Sequence, residues 1–371
     1  MSLWLSLLII MLAFYVMAEV VDRHFIKSLD NIAHWLKMPE SVAGATLLAF
    51  GTSTPEISTA LFALFLEEAN PATGIGTIVG SAIFQILVVI GFAAVVRTSY
   101  LNWRPILRDS IFYAFSIVLL LLFLQDNCFT LAEAWGFVGA YLLYLFVLFL
   151  WTRYVKEVRL HDPAAEEEIP QPLIKLEHAL EEERKGKNAL YFLKRLFNYP
   201  VDLLLSFIPD VEKKPSWTIP VFFISLGIIG FSCYWLVLAA ESFARIVGVP
   251  PAIVALTILA GGTSIPEMIS SAIVARQGRG DMAIANAIGS NIFDILMSLG
   301  FPVLIYILIK GENLEGLSGD GIGASVQILF FTLILVVGLL ALLRFRAGRG
   351  FGIFLLLLYG LYVAGAYLGW F

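Results

Sequence analysis

The sequence predicts an all-α polytopic membrane protein, with ten transmembrane helices arranged as two inverted five-helix repeats and discontinuous helices at the membrane midplane. Three observations lead there. The 371 residues are 59% apolar and only 14% charged, with a mean hydropathy of +0.87; a soluble domain is about half apolar and about a quarter charged. Ten stretches are apolar for the ~20 residues that a helix needs to cross a bilayer core. Two motifs also recur, in the same order, in both halves of the chain. A cytosolic globule, a disordered tail and a fibrous repeat are excluded by this composition. The net charge of −5 and the lack of a basic-aromatic stripe give nucleic-acid binding no support. Cys128 and Cys233 are too few for a disulfide framework or a sulfur-ligated metal cluster.

The first stretch, 2–20, has no positive charge on its N-terminal side and no small-residue cleavage site after it, so it reads as a mature helix rather than a secretory leader. Stretches 41–66 and 74–96 carry the first copy of the repeat, and 107–125 and 131–151 complete a first half spanning 1–151. The segment 152–216 is the only sizeable polar part, with EEE at 166–168 and 181–183 and KGK at 185–187. It reads as a solvated hairpin of short helices. It lacks the D-x-D-x-D-G loop of a calcium sensor. Residues 190–207 mix basic and apolar side chains, a pattern suited to the inner membrane surface. The second half, 217–371, contains stretches 217–243, 250–275, 282–309, 322–343 and 350–370, with the second copy of the repeat over 250–309.

Lysine and arginine orient these stretches. With the N-terminus outside, the short cytoplasmic loops hold Arg23, Lys27, Lys37, Arg97, Arg104, Arg108, Arg276, Arg279, Arg344, Arg346 and Arg349, whereas the outer loops hold only Arg245 and Lys310. The positive-inside rule therefore puts both termini on the extracellular or periplasmic side of a cell membrane and segment 152–216 in the cytoplasm.

The repeat has two parts. LLAFGTSTPEISTALFA at 47–63 matches ILAGGTSIPEMISSAIVA at 258–275, and GSAIFQILVVIGF at 80–92 matches GSNIFDILMSLGF at 289–301. Five spans per half is an odd number, so the second copy enters the membrane with opposite polarity, as in secondary transporters built from inverted repeats. The motifs put Glu56, Gln85, Glu267 and Asp294 near the centres of their spans. A charged side chain there costs roughly 2.5–3.5 kcal/mol on the milder scales. A structural hydrogen bond accounts for a lone hydroxyl at that depth; three carboxylates at matched positions of two copies point to a task.

The neighbouring residues suit cation ligation. Pro55 and Pro266 disturb the preceding turns and are expected to free carbonyls such as those of Ala49 and Ala260. Thr52, Ser53, Thr263, Ser264, Ser81 and Ser290 add hydroxyls, and the nearby glycines allow close helix approach. An oxygen-only donor set is hard and fits calcium, and sodium, of similar size, would accept the same cage. No cysteine or histidine falls in these motifs, which disfavours a soft metal. His24, His34, His161 and His178 read as ordinary loop residues, and Glu19 and Glu241 as interfacial ends of the first span of each half.

On these residues the sequence resembles the calcium/cation antiporter superfamily, the sodium/calcium exchangers. G-T-S-T-P-E and G-T-S-I-P-E, followed by G-S-A-I-F-Q and G-S-N-I-F-D, are similar to its two alpha-repeat signatures. The stretches 74–87, 108–117 (RDSIFYAFSI), 198–210 and 275–296 resemble the potassium-dependent branch most closely. The resemblance implies that Glu56 and Glu267 are the paired central acids that bind calcium. It implies that Asp294 holds the position whose carboxylate goes with potassium dependence, although bacterial relatives carry Asp there too. Thr52, Ser53, Thr263, Ser264, Ser81, Ser290 and the carbonyls of Ala49 and Ala260 match ligand positions for sodium and calcium. Two departures bear on potassium: Gln85 stands where Asn is usual, and Glu267 where the potassium-dependent branch usually has Asp.

The resemblance implies antiport of sodium against calcium, with potassium as a further ion in that branch, no prosthetic group, and the lipid bilayer as surroundings; no protein partner is legible. A calcium/proton exchanger of the same fold stays open as an alternative, since desolvation can bring a carboxylate into proton exchange. A calcium channel ranks below it. A membrane enzyme ranks lower still, because no histidine or cysteine stands beside the motifs to activate a nucleophile.

Overall fold

The structure, a computed structural model, describes residues 1–36, 49–66, 70–154, 201, 203, 205–211, 213–276, 278, 280–316 and 321–370. In chain order the helices are α1 (Leu3–Trp35), α2 (Ala49–Thr52), α3 (Thr54–Phe65), α4 (Pro71–Val96), α5 (Trp103–Phe123), α6 (Leu131–Tyr154), α7 (Pro215–Val247), α8 (Pro251–Thr263), α9 (Ile265–Arg276), α10 (280–310), α11 (Ile322–Leu342) and α12 (Arg349–Leu368). Eight of them, all but α2, α3, α8 and α9, are long and apolar enough to cross a membrane. The chain is thus a predominantly helical membrane protein. The four short helices form two broken pairs, α2–α3 and α8–α9, where the sequence suggests single spans. The first part of the earlier pair, 41–48, lies outside the described residues.

Helix α1 runs further than its apolar stretch. Neither proline nor glycine occurs between residues 3 and 35, so nothing ends the helix at 20. It continues through a π turn at Val21–Phe25, and Val20, Val21, Phe25 and Leu29 keep one face fully covered. Arg23 and Lys27 therefore ride on a helix rather than a loop. The same continuation corrects the expectation for His24, which is 8% exposed inside α1. Helix α7 begins and ends beyond its expected span, and stops at Gly248, whose φ of 76° ends it in a left-handed residue. Helix α4 starts on Asn70, which caps the Ala72 N–H at 2.9 Å, with Pro71 at the first position.

Two helices sit at the centre. The apolar windows of α4 and α10 are 89% and 67% buried inside the protein, against 28–39% for the other six spans. Those six leave large apolar side chains facing outward, among them Trp4, Phe231, Leu342 and Leu357. A large core joins α4, α5, α6, α10, α11 and α12. A second cluster joins α1 to α7, with Phe25 and Phe222 stacked at 5.2 Å. Val201 and Leu205 pack into this second cluster. The charged blocks of segment 152–216, with His161 and His178, lie outside the described residues.

Glycine sets the closest crossing. A Cβ at Gly80 of α4 would collide with the Leu256 carbonyl of α8. Two short antiparallel strand pairs tie loops together. β1 (Ser99–Tyr100), between α4 and α5, pairs with β4 (Arg346–Ala347), between α11 and α12. β2 (Cys128–Phe129), between α5 and α6, pairs with β3 (Leu314–Glu315), between α10 and α11.

Candidate cation site between two broken helices

The site begins with two kinks. Ser53, between α2 and α3, has φ −91° and ψ 7°; Ser264, between α8 and α9, has φ −90° and ψ 2°. Both lie in the sparsely allowed bridge region. Pro55 and Pro266 follow two residues later, and each lacks the N–H that would reach back four residues, to Gly51 and Gly262. The carbonyls relieved of a donor are therefore those of Gly51 and Gly262, not those of Ala49 and Ala260. The Ala49 carbonyl accepts from Ser53 N at 3.0 Å and Thr52 Oγ1 at 3.3 Å. The Ala260 carbonyl accepts from Ser264 N and Thr263 Oγ1, both at 3.3 Å. Helix α1 covers both kinks. A Cβ at Gly262 would strike the Phe14 ring, and one at Gly51 would meet Leu29 Cδ1 at 2.6 Å.

The other two contributors sit on π turns. One covers Gln85–Val89 in α4 and the other Asp294–Leu299 in α10, so Gln85 and Asp294 each open a π turn at matched places. Such insertions break the regular ladder and recur at functional sites. A further π turn, Ala255–Leu259, lies in α8 against α4.

These four elements deliver one buried polar cluster. Glu56 Oε1 accepts from Ser264 Oγ at 3.3 Å and Ser81 Oγ at 3.4 Å, and the two hydroxyls are 2.6 Å apart. Gln85 Nε2 donates to Glu267 Oε2 at 2.6 Å and Asp294 Oδ2 at 2.9 Å, and reaches Ser81 Oγ at 3.4 Å. Ser290 Oγ donates to Gln85 Oε1 at 2.8 Å. Thr263 lies beside Glu56 and Thr52 beside Glu267, each spending its hydrogen on the alanine carbonyl three residues back. Ser53 lies beside Asp294. Glu56, Gln85 and Asp294 are 0% exposed and Glu267 2%. Every partner named is a hydroxyl or an amide. Carboxylates buried without a cation cost several kcal/mol each, so the cluster favours taking up positive charge. Among the described residues, no three acids, histidines or cysteines stand at the mutual spacing of a resident metal centre. The acids are joined through Gln85 and the serines.

Of the residues singled out in the sequence, the structure brings the side chains of Glu56, Ser81, Gln85, Ser264, Glu267, Ser290 and Asp294 into this cluster and sets Thr52, Ser53 and Thr263 beside it, while Ala49 and Ala260 reach it only through the threonines that bond their carbonyls. Others were not singled out. Ser298 donates to Asp294 Oδ1 at 3.3 Å, and its i+4 spacing from Asp294 was a readable signal. Glu241 is 4% exposed, covered by protein and accepting from Thr73 Oγ1 at 2.6 Å and Asn70 N at 3.2 Å. Glu19, in contrast, is partly exposed and pairs with Arg23. Asp109 of α5 is buried in a bidentate pair with Arg108, at 2.8 and 3.0 Å, and accepts from Tyr144 OH at 3.3 Å.

The profile of the family described as "Sodium/calcium exchanger protein" matches residues 6–150 and 217–368. The chain belongs to that family. This exchanger is 28% identical to sodium/potassium/calcium exchanger 2 of Gallus gallus, over 94% of this chain and 74% of that one. It is 30% identical to sodium/potassium/calcium exchanger 5 of Homo sapiens, over 88% and 76%. Among solved structures, the fold is similar to that of the H+/Ca2+ exchanger CAX, with a TM-score of 0.67, 14% identity and 98% and 84% coverage. It is also similar to that of the sodium-calcium exchanger NCX_Mj, with a TM-score of 0.57, 21% identity and 98% and 99% coverage. The relatives are named as exchangers of ions, not as enzymes.

Proposed function

We propose that this chain is a secondary antiporter that exchanges sodium for calcium across a membrane, with potassium as an accompanying cation. One observation carries the reading: Glu56, Gln85, Glu267 and Asp294, from four helices of two halves, meet in a single oxygen-lined cluster sealed inside a lipid-embedded protein. With its three carboxylates ionised, the cage is balanced by three sodium ions, or by one calcium and one monovalent ion. The two loads compete for the same oxygens. An empty cage leaves buried charge unpaired and resists crossing between the two faces, which couples one flux to the other. The names of the curated relatives support sodium, potassium and calcium as cargo.

The alternation rests on ten membrane-crossing segments in two inverted repeats, 1–151 and 217–371, counting each broken pair as one segment. Packing supports this reading, because exchanging the halves maps contacts onto contacts. α4 packs on α12 as α10 packs on α6, and α4 on α11 as α10 on α5. α3 meets α4 as α9 meets α10. The strand pair β1–β4 maps onto β3–β2. β1 and β2 flank the single span α5, so these pairs lie on opposite membrane faces. A symmetry that swaps them reverses the membrane direction. α1 and α7, packed on each other outside the main core, are the segments that slide or rock past the cage. Both termini lie outside, with segment 152–216 in the cytoplasm.

The test is radioactive calcium uptake into sodium-loaded proteoliposomes. Uptake that requires the outward sodium gradient, and is raised by external potassium, supports the reading. Uptake that a pH gradient drives equally well without sodium makes the chain a calcium/proton exchanger instead. Uptake that needs no counter-ion makes it a channel.

A further inference from the structure

Gln85 spends its whole side chain on the cage. Both hydrogens of Nε2 are directed at carboxylates, to Glu267 Oε2 at 2.6 Å and Asp294 Oδ2 at 2.9 Å, while Oε1 takes the Ser290 hydroxyl at 2.8 Å. The opposite amide orientation would set its oxygen against two carboxylate oxygens, so the pattern of partners fixes which end faces which. The nitrogen thus stands at the one point that both acids reach. Its separations from the two oxygens are those of a nitrogen donor, and a large monovalent cation such as potassium or rubidium keeps much the same distance from oxygen. Yet the amide is neutral. It satisfies the hydrogen-bonding demand of the two acids and leaves their charge in place.

We propose that the Gln85 carboxamide is a tethered competitor for the monovalent companion cation. Its nitrogen occupies the position between Glu267 and Asp294, and Gln85 thereby sets how tightly potassium binds there. The inference rests on the cation-cage reading above but goes beyond it, because it fixes the sign of Gln85's effect. A residue that only ligates the ion through its oxygen makes binding tighter by being present. A tethered competitor makes binding weaker, and its removal strengthens it. Glu56 accepts nothing from Gln85 and takes the Ser81 and Ser264 hydroxyls instead, with Ser81 Oγ, 3.4 Å from Gln85 Nε2, linking the two sides of the cluster. Ser290 acts as a positioning residue, because it holds the amide oxygen and so keeps the nitrogen turned toward the acids.

Equilibrium binding of rubidium-86 to the detergent-solubilised full-length protein tests this without requiring transport. Gln85→Ala is expected to tighten rubidium binding about tenfold or more, and Gln85→Asn to tighten it by a smaller factor. Ser290→Ala retains Gln85 and is expected to shift binding the same way by a few fold, which keeps the test open if Gln85→Ala does not fold. In proteoliposomes, the potassium concentration for half-maximal stimulation of calcium uptake moves down by a similar factor in Gln85→Ala. Rubidium binding that is unchanged, weaker or absent in these variants overturns the proposal. Wild-type vesicles without sodium-driven calcium flux would instead count against the antiporter reading, whatever rubidium does.

Discussion

Glu56 and Glu267 come from opposite halves of the chain yet share one cluster through Ser264, Ser81 and Gln85. Each sits on the first turn of a helix that starts at a kink, where backbone N–H groups are not yet paired within the helix. Replacing either by glutamine keeps the shape and removes the charge that the proposed cage offers to a cation. Glu56→Gln and Glu267→Gln are each expected to lower sodium-driven calcium flux in proteoliposomes by about tenfold or more, the equivalent of ~1.4 kcal/mol in binding. Full flux in either variant would remove that acid from the cage. Asp109 belongs to a different kind of site. Its carboxylate is bidentate to Arg108, and Arg108 also lies over the Trp151 ring at 5.3 Å. Asp109→Ala removes the bidentate carboxylate partner of a largely buried guanidinium and is expected to cost about 3–5 kcal/mol of stability. This would be read as a lower melting temperature with the affinity of the folded fraction for calcium unchanged.

Helices α4 and α10 carry the two G-S-x-I-F motifs and are the most enclosed elements. Gly80 lets α4 lie on the backbone of α8, one helix from the Ser264 kink. Gly80→Ala forces that crossing apart and is expected to cost roughly 1–3 kcal/mol, with a fall in calcium affinity because Ser81 moves with the backbone; thermal unfolding and calcium binding measured together check it. Much of this was legible in the residues. The repeated motifs and their depth in apolar spans pointed to the polar side chains that meet in the buried cluster, whereas the carbonyls of Ala49 and Ala260 are taken up within their own helices. Three features were not legible. The π turns at Gln85 and Asp294 leave the apolar pattern unchanged, because both sit in stretches of helix that are almost wholly buried. The run of α1 to Trp35 follows from the absence of a breaker rather than from hydrophobicity. Glu241 resembled an interfacial acid because its partners, Asn70 and Thr73, lie some 170 positions away in the chain.

Across the whole molecule, the two strand pairs join loops of opposite halves. Cys128 and Glu315 are register partners in β2–β3, and paired residues of antiparallel strands lie about 4.5–5.5 Å apart at Cα, within disulfide reach. Glu315→Cys is therefore expected to cross-link to the native Cys128 on mild oxidation, seen as a shift in non-reducing gel mobility. Desolvation, then the carboxylates of Asp126, Glu315 and Glu133, push the Cys128 thiol above its ordinary range, and all but the Glu315 contribution remain in Glu315→Cys. Only the thiolate attacks, so the cross-link is expected to form slowly at neutral pH and faster as the pH rises. In intact vesicles Cys128 is expected to react with a membrane-impermeant maleimide from outside, whereas Tyr100→Cys, at the exposed position of β1, reacts only after the membrane is opened. Labelling of both from one side would break the inverted arrangement.

The enclosure of α4 has a consequence for biosynthesis. Ser81 and Gln85 find their partners in Ser264, Glu267, Ser290 and Asp294, all encoded some 180 to 210 positions later. At about 5–20 residues per second, the ribosome needs on the order of ten to forty seconds to make that stretch. Through that interval Ser81 and Gln85 have only each other and Glu56, which is made earlier, and the carboxylates that Gln85 bonds in the folded protein have not yet been made. An insertion chaperone that shelters polar transmembrane segments would act on this nascent chain during that wait.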